Sequence, residues 1–527
     1  MDTNSPVYAQ LNKAWKATCR VLFGEEIGEL NEYEEWLKED MVPITRAKSS
    51  ISGKEVILGR GDYCKDANFI SLDEVGLRKI ETLSINEIKD IDSIVEAISE
   101  KWEYTGNKIL GNSKFVESSD TVIDSQYISH SINIQNAMYV YSSYAFFDSK
   151  YSFGSIRAGD GCEFVIKCFR LANAKRCFSS FLVGSSSDVY LSSNCLGCSD
   201  ILFCFSLRNK THCIGNLQLQ KNEYFSLKKK IVSEIAEELK RRKRFPFIFE
   251  LVKNENPEVQ LAVSTEKMNE DTIPINNAFT STFKVLSKRQ ISDGMINYSN
   301  WLLRHVTPIE EITSPFGSKT YILSTNYYTI YRKMPKKRIV SEVEAAKLAN
   351  EHLDRREIID LDTLVKNLSK IAYFTDEIKV GRNFNLIKTP VAESSANMYM
   401  VEAPVNSEYA AFGGMVETSK YVFGSGNLVF GAQFCINCYD SLKITRCFEV
   451  DCCNNCSDTY FAHNCEGLNE AMFCWNTKGK RYAIGNLQLP PDQYRKIKDM
   501  FVEQIADEII KKKELRYDIL NIGCGKR

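Results

Sequence analysis

From Cys162 to Leu207 the chain reads CEFVIKCFRLANAKRCFSSFLVGSSSDVYLSSNCLGCSDILFCFSL, and every third residue is small or aliphatic. The column runs Cys162, Val165, Cys168, Leu171, Ala174, Cys177, Ser180, Val183, Ser186, Val189, Ser192, Cys195, Cys198, Ile201, Cys204, Leu207. A helix repeats at 3.6 residues and a flat strand at two, so neither accounts for a period of three. The same column returns 270 residues later, from Ala432, Cys435 and Cys438 through Cys447, Cys453 and Cys456 to Cys465. An earlier run has the same period in another phase: Ser119, Ser125, Ser131, Ala137, Ser143 and Ser149, with Val122, Ile128, Ile134, Val140 and Phe146 midway between them. A chain that coils through very short strands, turning at regular intervals with one residue in three pointing inward, satisfies this pattern. That is a β-solenoid, in which each coil needs the next to bury its inner face. Polyproline II also has period three, but 12 Pro and 27 Gly in 527 residues are too few for it.

The repetition extends beyond the column. Ser149-Lys-Tyr-Ser-Phe-Gly-Ser155 matches Ser419-Lys-Tyr-Val-Phe-Gly-Ser425, Arg176-Cys-Phe178 matches Arg446-Cys-Phe448, and Ile214-Gly-Asn-Leu-Gln-Leu219 recurs unchanged at Ile484–Leu489. Asp90–Ser93 pairs with Asp360–Thr363 at the same offset, while Tyr33–Leu37 echoes Tyr298–Leu302 at an offset of 265. The sequence therefore predicts an α+β protein made by tandem duplication. Each copy has N-terminal helices, a short-stranded β-solenoid and a C-terminal capping helix. The first copy spans 1–253 (helical 1–110, solenoid 115–220, capping helix 221–245) and the second 278–527 (helical 278–380, solenoid 385–489, capping helix 490–514). A polar linker at 254–277 carries Pro257 and Pro274. Within the first helical part, the amphipathic stretch Val7–Leu37 and a capping box at Ser84-Ile-Asn-Glu87 mark two helix starts. The capping helices follow Tyr224, Leu227, Ile231, Ile235, Leu239 and Tyr494, Ile497, Phe501, Ile505, Ile509, and end in Lys240–Arg244 and Lys511–Lys513. Cations belong at that end of a helix dipole. The duplication is expected to place the two copies about a pseudo-twofold, as a homodimer would sit.

Hydrophobic residues make up 44% and charged residues 26%, a globular composition, and the net charge of −1 argues against nucleic acid as partner. Met1–Pro6 lacks a signal-peptide pattern, and no apolar run is long enough for a membrane span. The 18 cysteines are then expected as reduced thiols in a cytoplasm.

Ser187–Tyr190, Asn194–Cys198 and Leu207-Arg-Asn-Lys-Thr-His-Cys213, followed by Glu223-Tyr224, resemble the Cys-rich repeat tail of uncharacterised proteins of uncultured bacteria and archaea. The second copy departs from that pattern, with Thr477-Lys-Gly-Lys480 in place of Leu-Arg-Asn-Lys. The resemblance covers the last part of each half, and implies a shared fold element without an activity.

Four positions keep cysteine in both copies: Cys168, Cys177, Cys195 and Cys204, matched by Cys438, Cys447, Cys465 and Cys474. They are the candidate ligands for zinc or an iron–sulfur cluster. Elsewhere Cys exchanges with Ala, Leu, Val and Ser between copies, as packing residues do. With nine or eighteen residues per coil, the four thiols would not converge on one tetrahedral site. Polar residues shared by both copies are the candidate binding surface: Arg176, Asp188, Asn194, Lys210, Asn216 and Gln218, with Arg446, Asp458, Asn464, Lys480, Asn486 and Gln488. Turn chemistry is the competing account for the Asn and Asp among them. None of the five histidines recurs at an equivalent place, and no phosphate loop or nucleophile triad is present. The function expected is a non-catalytic structural or scaffolding protein that binds other proteins or itself. The alternatives are a thiolate metalloprotein and a solenoid enzyme acting on a small ligand or sugar along the flank near Arg176 and Asn194.

Overall fold

The computed structural model describes the chain apart from residues 1, 78–82, 84–87, 160, 262–269, 326–327 and 525–527. It mixes helix and strand, with large parallel sheets. The chain forms two compact units, and neither is a continuous half. The first comprises Met1–Ile44, Asn107–Thr265 and Glu310–Ile378; the second comprises Thr45–Gly106, Glu266–Ile309 and Lys379–Arg527. Each unit thus takes one segment from the other half of the sequence, which departs from the expected division into 1–253 and 278–527.

In the first unit, strands from Ile109 to Ile214 pair in parallel within a sheet of 16 described strands. The register advances mostly twelve residues at a time: Gln126 lies beside Met138, Met138 beside Lys150, Lys175 beside Ser187, and Ser187 beside Ser199, with one extra residue where Lys150 lies beside Glu163 and Ile156 beside Phe169. The coil is therefore twelve residues long, where nine or eighteen was expected. The reason for the period of three lies in the backbone. Residues 115, 118, 121, 124, 127 and onward are left-handed, with φ near +50°. Each such corner is followed by an inward-facing residue, so four three-residue sides complete a coil.

A left-handed L-residue costs about 1–2 kcal/mol. That is comparable to one ladder hydrogen bond, about 1 kcal/mol net, so the corners persist only where successive coils pair. Among the described residues, no Val or Ile is left-handed, and only Thr121 and Thr418 of the left-handed ones are β-branched. Val and Ile instead fill the inward columns, with Val122, Ile128, Ile134, Val140 and Val165 all buried.

Inward serines tie the coils together. Ser131 Oγ–H donates to the Ser129 carbonyl (2.9 Å), and Ser131 Oγ accepts from the Ser143 amide (3.1 Å). The column 155, 168, 180, 192, 204 reads Ser, Cys, Ser, Ser, Cys. In it the cysteine thiols donate in the serine manner, Cys168 to Ile166 O (3.4 Å) and Cys204 to Leu202 O (3.3 Å).

The second unit repeats the pattern in a sheet of 14 described strands, with Ala396 beside Glu408, Glu408 beside Lys420, and Asn469 beside Arg481. Both ladders end alike. Leu217–Gln218 and Leu487–Gln488 turn back antiparallel, and the helices Lys221–Arg242 and Pro491–Lys512 follow. The side-chain amides of Asn216 and Asn486 take the place of a further coil. Asn216 accepts from Phe205 N (2.8 Å) and donates to Phe205 O (3.2 Å); Asn486 does the same with Trp475 (3.1 and 2.8 Å).

The opening helix, Pro6–Phe23, is capped by Ser5 and stopped by Gly24, whose left-handed φ of 80° closes the last turn. The rest of 1–110 is less helical than expected. Thr45–Lys48, Glu55–Leu58, Asn68–Ser71 and Glu103–Gly106 are strands, and Ile91–Ser99 is a helix whose N-cap is Asp90. The capping box at 84–87 lies outside the described residues. The linker ends earlier than expected, because Ile273–Ser287 is helical.

The expectation of reduced thiols also needs a correction. Cys64 and Cys524 form a disulfide with Cα atoms 6.4 Å apart, inside the second unit. Both lie outside the period-three runs, where no pattern marks them.

Candidate functional site

The shared polar residues hold the coils to one another. Arg176 grips Asp188, one coil away, through Nε (2.9 Å) and Nη2 (2.5 Å); Arg446 grips Asp458 likewise (2.7 and 2.6 Å). On the expected flank, Lys228 of the capping helix reaches Asp200 (3.0 Å) and lies over the Tyr190 ring. Asn194 is buried and accepts at Oδ1 from Arg208 (3.1 Å), and Asn464 donates to Asn476 (2.8 Å). Gln218 donates to Thr211 O (3.3 Å), while Gln488 is exposed. The carbonyls of Lys210 and Lys480 accept ladder bonds from Ser199 N and Asn469 N. These twelve residues do not converge on one place.

The eight recurring cysteines are buried in the inward columns. Cys168 and Cys204 share one column three coils apart, roughly 14 Å at the strand spacing, whereas Cys177 and Cys195 stand in two others. Burial pushes the Cys168 and Cys474 thiols up to about 12. Cys198 differs, because a hydrogen bond from Cys195 brings its thiol down to about 7. Among the described residues, no three His, Cys, Asp or Glu side chains form a group that could hold a metal ion. The basic helix ends are matched by acids of their own unit: Lys240 by Glu25, Lys243 by Glu32, Arg244 by Glu39 and Glu250, and Lys512 by Glu508.

Among the described residues, charge clusters stand at equivalent places in the two units, in addition to buried pairs such as Lys108–Asp120 and Arg170–Asp376. In the second unit His305 is held between two carboxylates, Nδ1 on Asp62 (2.8 Å) and Nε2 on Asp518 (3.2 Å). Arg60 forks onto Asp62 (2.6 and 2.8 Å), approaches Asp451 (3.7 Å) and lies over the Tyr439 ring. His463 Nε2 accepts the Thr105 amide (2.8 Å), so its proton is on Nδ1 and faces Asp451 (2.8 Å). Glu449 accepts from Asn437 (2.7 Å) and from the Ile519 amide (3.0 Å).

In the first unit Lys167 stands where Asn437 stands in the second, and Asp40 where His305 stands, at the offsets of 270 and 265. Lys167 donates to Asp40 (2.7 Å) and Trp36 O (2.9 Å), and Lys333 contacts Asp40 (2.7 Å), Glu39 (3.2 Å) and Glu250 (3.4 Å). Burial lowers the Lys167 pKa in spite of Asp40 and Glu39; burial raises that of Asp40, but Lys167 and Lys333 outweigh it.

Both centres draw on the same sources: a corner of the coil, the turn after a short helix, the segment behind the capping helix, and the segment taken from the other half. Lys333 is that segment's contribution in the first unit, and Arg60 with Asp62 in the second. Their chemistry is charge neutralisation that fastens the exchanged segment. Sequence reasoning misses these residues because it compares the halves by residue identity, and here they differ in residue type. Continued past Leu37 and Leu302, the offset of 265 aligns Asp40 with His305, a charged or titratable residue in both halves. No protein-family description, characterised protein or solved structure matches the chain.

The second centre gives the unit a pH dependence. Burial raises Glu449 to about 8, helped by Asp518. Burial lowers His305, but Asp518 and Asp62 outweigh it and raise it to about 9. Both folded values exceed the unfolded ones. Their stabilisation is complete below the unfolded range and is lost as the pH rises through the folded values. Thermal stability is therefore expected to fall between about pH 5 and pH 9. Glu449→Gln should flatten the part of that fall below about pH 8. Melting curves at several pH values test this; an unchanged slope in the variant would assign the dependence elsewhere.

Proposed function

We propose that the chain is a non-catalytic scaffold: a tandem duplication of a β-solenoid unit that acts in the cytoplasm and binds other proteins or itself. The observation that carries this reading is the engagement of the polar residues both halves share. Arg176 with Asp188, Arg446 with Asp458, and the ladder-ending Asn216 and Asn486 hold the molecule together rather than surround a substrate. The two ionic centres support the same reading, since each carboxylate in them faces a cation or a hydrogen-bond donor.

The test is anaerobic purification followed by elemental analysis and light scattering on one sample. A scaffold gives no stoichiometric metal, together with a defined oligomer or a co-purifying protein. Metal near one atom per chain, lost in a Cys168→Ala/Cys177→Ala variant that still folds, would overturn the reading in favour of a thiolate metalloprotein.

A further inference from the structure

We infer that the open first coil of the first unit is a self-association surface whose partner is a second copy of this chain; this rests on the self-binding arm of the scaffold reading. Among the described residues, Ile109–Leu110 pairs only with Asp120–Ile123, and Lys114–Glu117 only with Gln126–Ser129. The far end of the same ladder is closed by Leu217–Gln218 and Asn216. An open strand edge presents unpaired amides and carbonyls to another chain.

On this edge stands Phe115, 50% exposed. It is the last ring of an outer column, Phe115, Tyr127, Tyr139, Tyr151 and Phe164, stacked with centroids 4.8, 5.2, 5.0 and 4.6 Å apart. The second unit repeats only the inner part of the column, Tyr409, Tyr421 and Phe434; its first corners are Asn385 and Asn397, bonded to each other at 3.0 Å. The aromatic column thus reaches an open end in the first unit alone.

The group that extends this column must be an aromatic ring carried on an extended backbone edge. A second copy supplies both. A twofold axis through the Phe115 corner lays Phe115 on Phe115 and reverses the chain direction across the contact. The exposed Lys114 of each copy then sits over the Val116–Glu117 side of the other, cation over a half-buried carboxylate whose Oε1 already accepts the Ser5 hydroxyl and whose other oxygen faces the contact. Such a contact is isologous and closes at two copies. Its footprint is about one coil, below the size of a stable interface, so dissociation constants of roughly 10–100 µM are expected.

Sedimentation velocity on the full chain, from about 1 to about 300 µM, spans this range. The wild type should shift from monomer toward dimer. Phe115→Asn, which keeps a residue that tolerates the left-handed corner, should remain monomeric with an unchanged circular dichroism spectrum. Lys114→Glu and Glu117→Lys should each weaken the dimer by at least tenfold, and their equimolar mixture should restore it, because the mixed pair again sets opposite charges together. Dimerisation unaltered by Phe115→Asn and Lys114→Glu would overturn this surface while leaving self-association intact. A wild type that stays monomeric throughout would overturn the self-binding arm as well.

Discussion

A single cut in the linker, between Asn254 and Pro257, is expected to leave the molecule whole. The two halves should co-elute at the mass of the intact chain. On a non-reducing gel they should remain joined through Cys64–Cys524, and on a reducing gel they should part. The reason is the composition of the units. The first half gives the second unit Leu83, Ile91, Ile94, Val95, Ile98, Trp102 and Tyr104, all buried in its apolar core. Each such side chain stabilises by about 1.5–3 kcal/mol, so the segment contributes roughly 10–20 kcal/mol before ordering costs. In exchange, the second half gives the first unit Val340, Ala345, Leu348 and Tyr373 as a satellite core, fastened by Arg170–Asp376 and by Lys333 on Asp40. The entropic cost of holding two chains together, about 4–15 kcal/mol, is incurred once for both docked segments. Reducing agent alone should therefore not separate the nicked halves under native conditions. Separation in non-denaturing buffer with reductant would show that the units are not interleaved.

The exchange was not legible in the sequence, for a physical reason. Residues 45–106 and 310–378 carry apolar residues at matching positions, as Leu83 and Leu353 do at the offset of 270. Only the path of the chain decides which compact unit each segment joins, and no local pattern encodes that path. The inner column was legible, because burial selects small and aliphatic residues at every third position. The left-handed corners were not read from the sequence, because the residues between the inward positions are of mixed type and only the backbone shows what they share, a lack of Val and Ile among the described corners. A period of three gives the length of a side but not the number of sides, so the twelve-residue coil had to come from the register. The ionic centres stayed hidden because their positions recur while their residues do not, with Lys167 opposite Asn437 and Asp40 opposite His305. The Ile-Gly-Asn-Leu-Gln-Leu repeat is plain in the sequence, but its Gly and Asn serve different ends. The Asn closes the ladder, and the Gly receives the exchanged leucine.

An added methyl group at that glycine tests where the exchanged leucine rests. Gly485 has φ of +55°, and a Cβ built on it would lie 1.8 Å from Leu83 Cδ1 and 3.6 Å from Ile98 Cγ2. Gly215, at φ of +56°, would place its Cβ 2.8 Å from Leu353 Cδ1, and its carbonyl accepts the Leu353 amide at 2.9 Å. Gly485→Ala is expected to lose about 1–2 kcal/mol to the left-handed backbone and about 1–3 kcal/mol more to overpacking. Gly215→Ala should lose less, since the overlap there is smaller. Gly479→Ala isolates the backbone cost, because its φ is +63° and a Cβ would meet nothing within 4 Å. Denaturant unfolding of the three variants should rank them Gly485, Gly215, Gly479 in order of loss. Leu83→Ala is destabilising alone, yet in the Gly485→Ala background it removes the clash, so the pair should couple by about 1 kcal/mol or more in the favourable direction. Additive losses would mean that Leu83 does not rest on Gly485, and that the segment from the first half lies elsewhere.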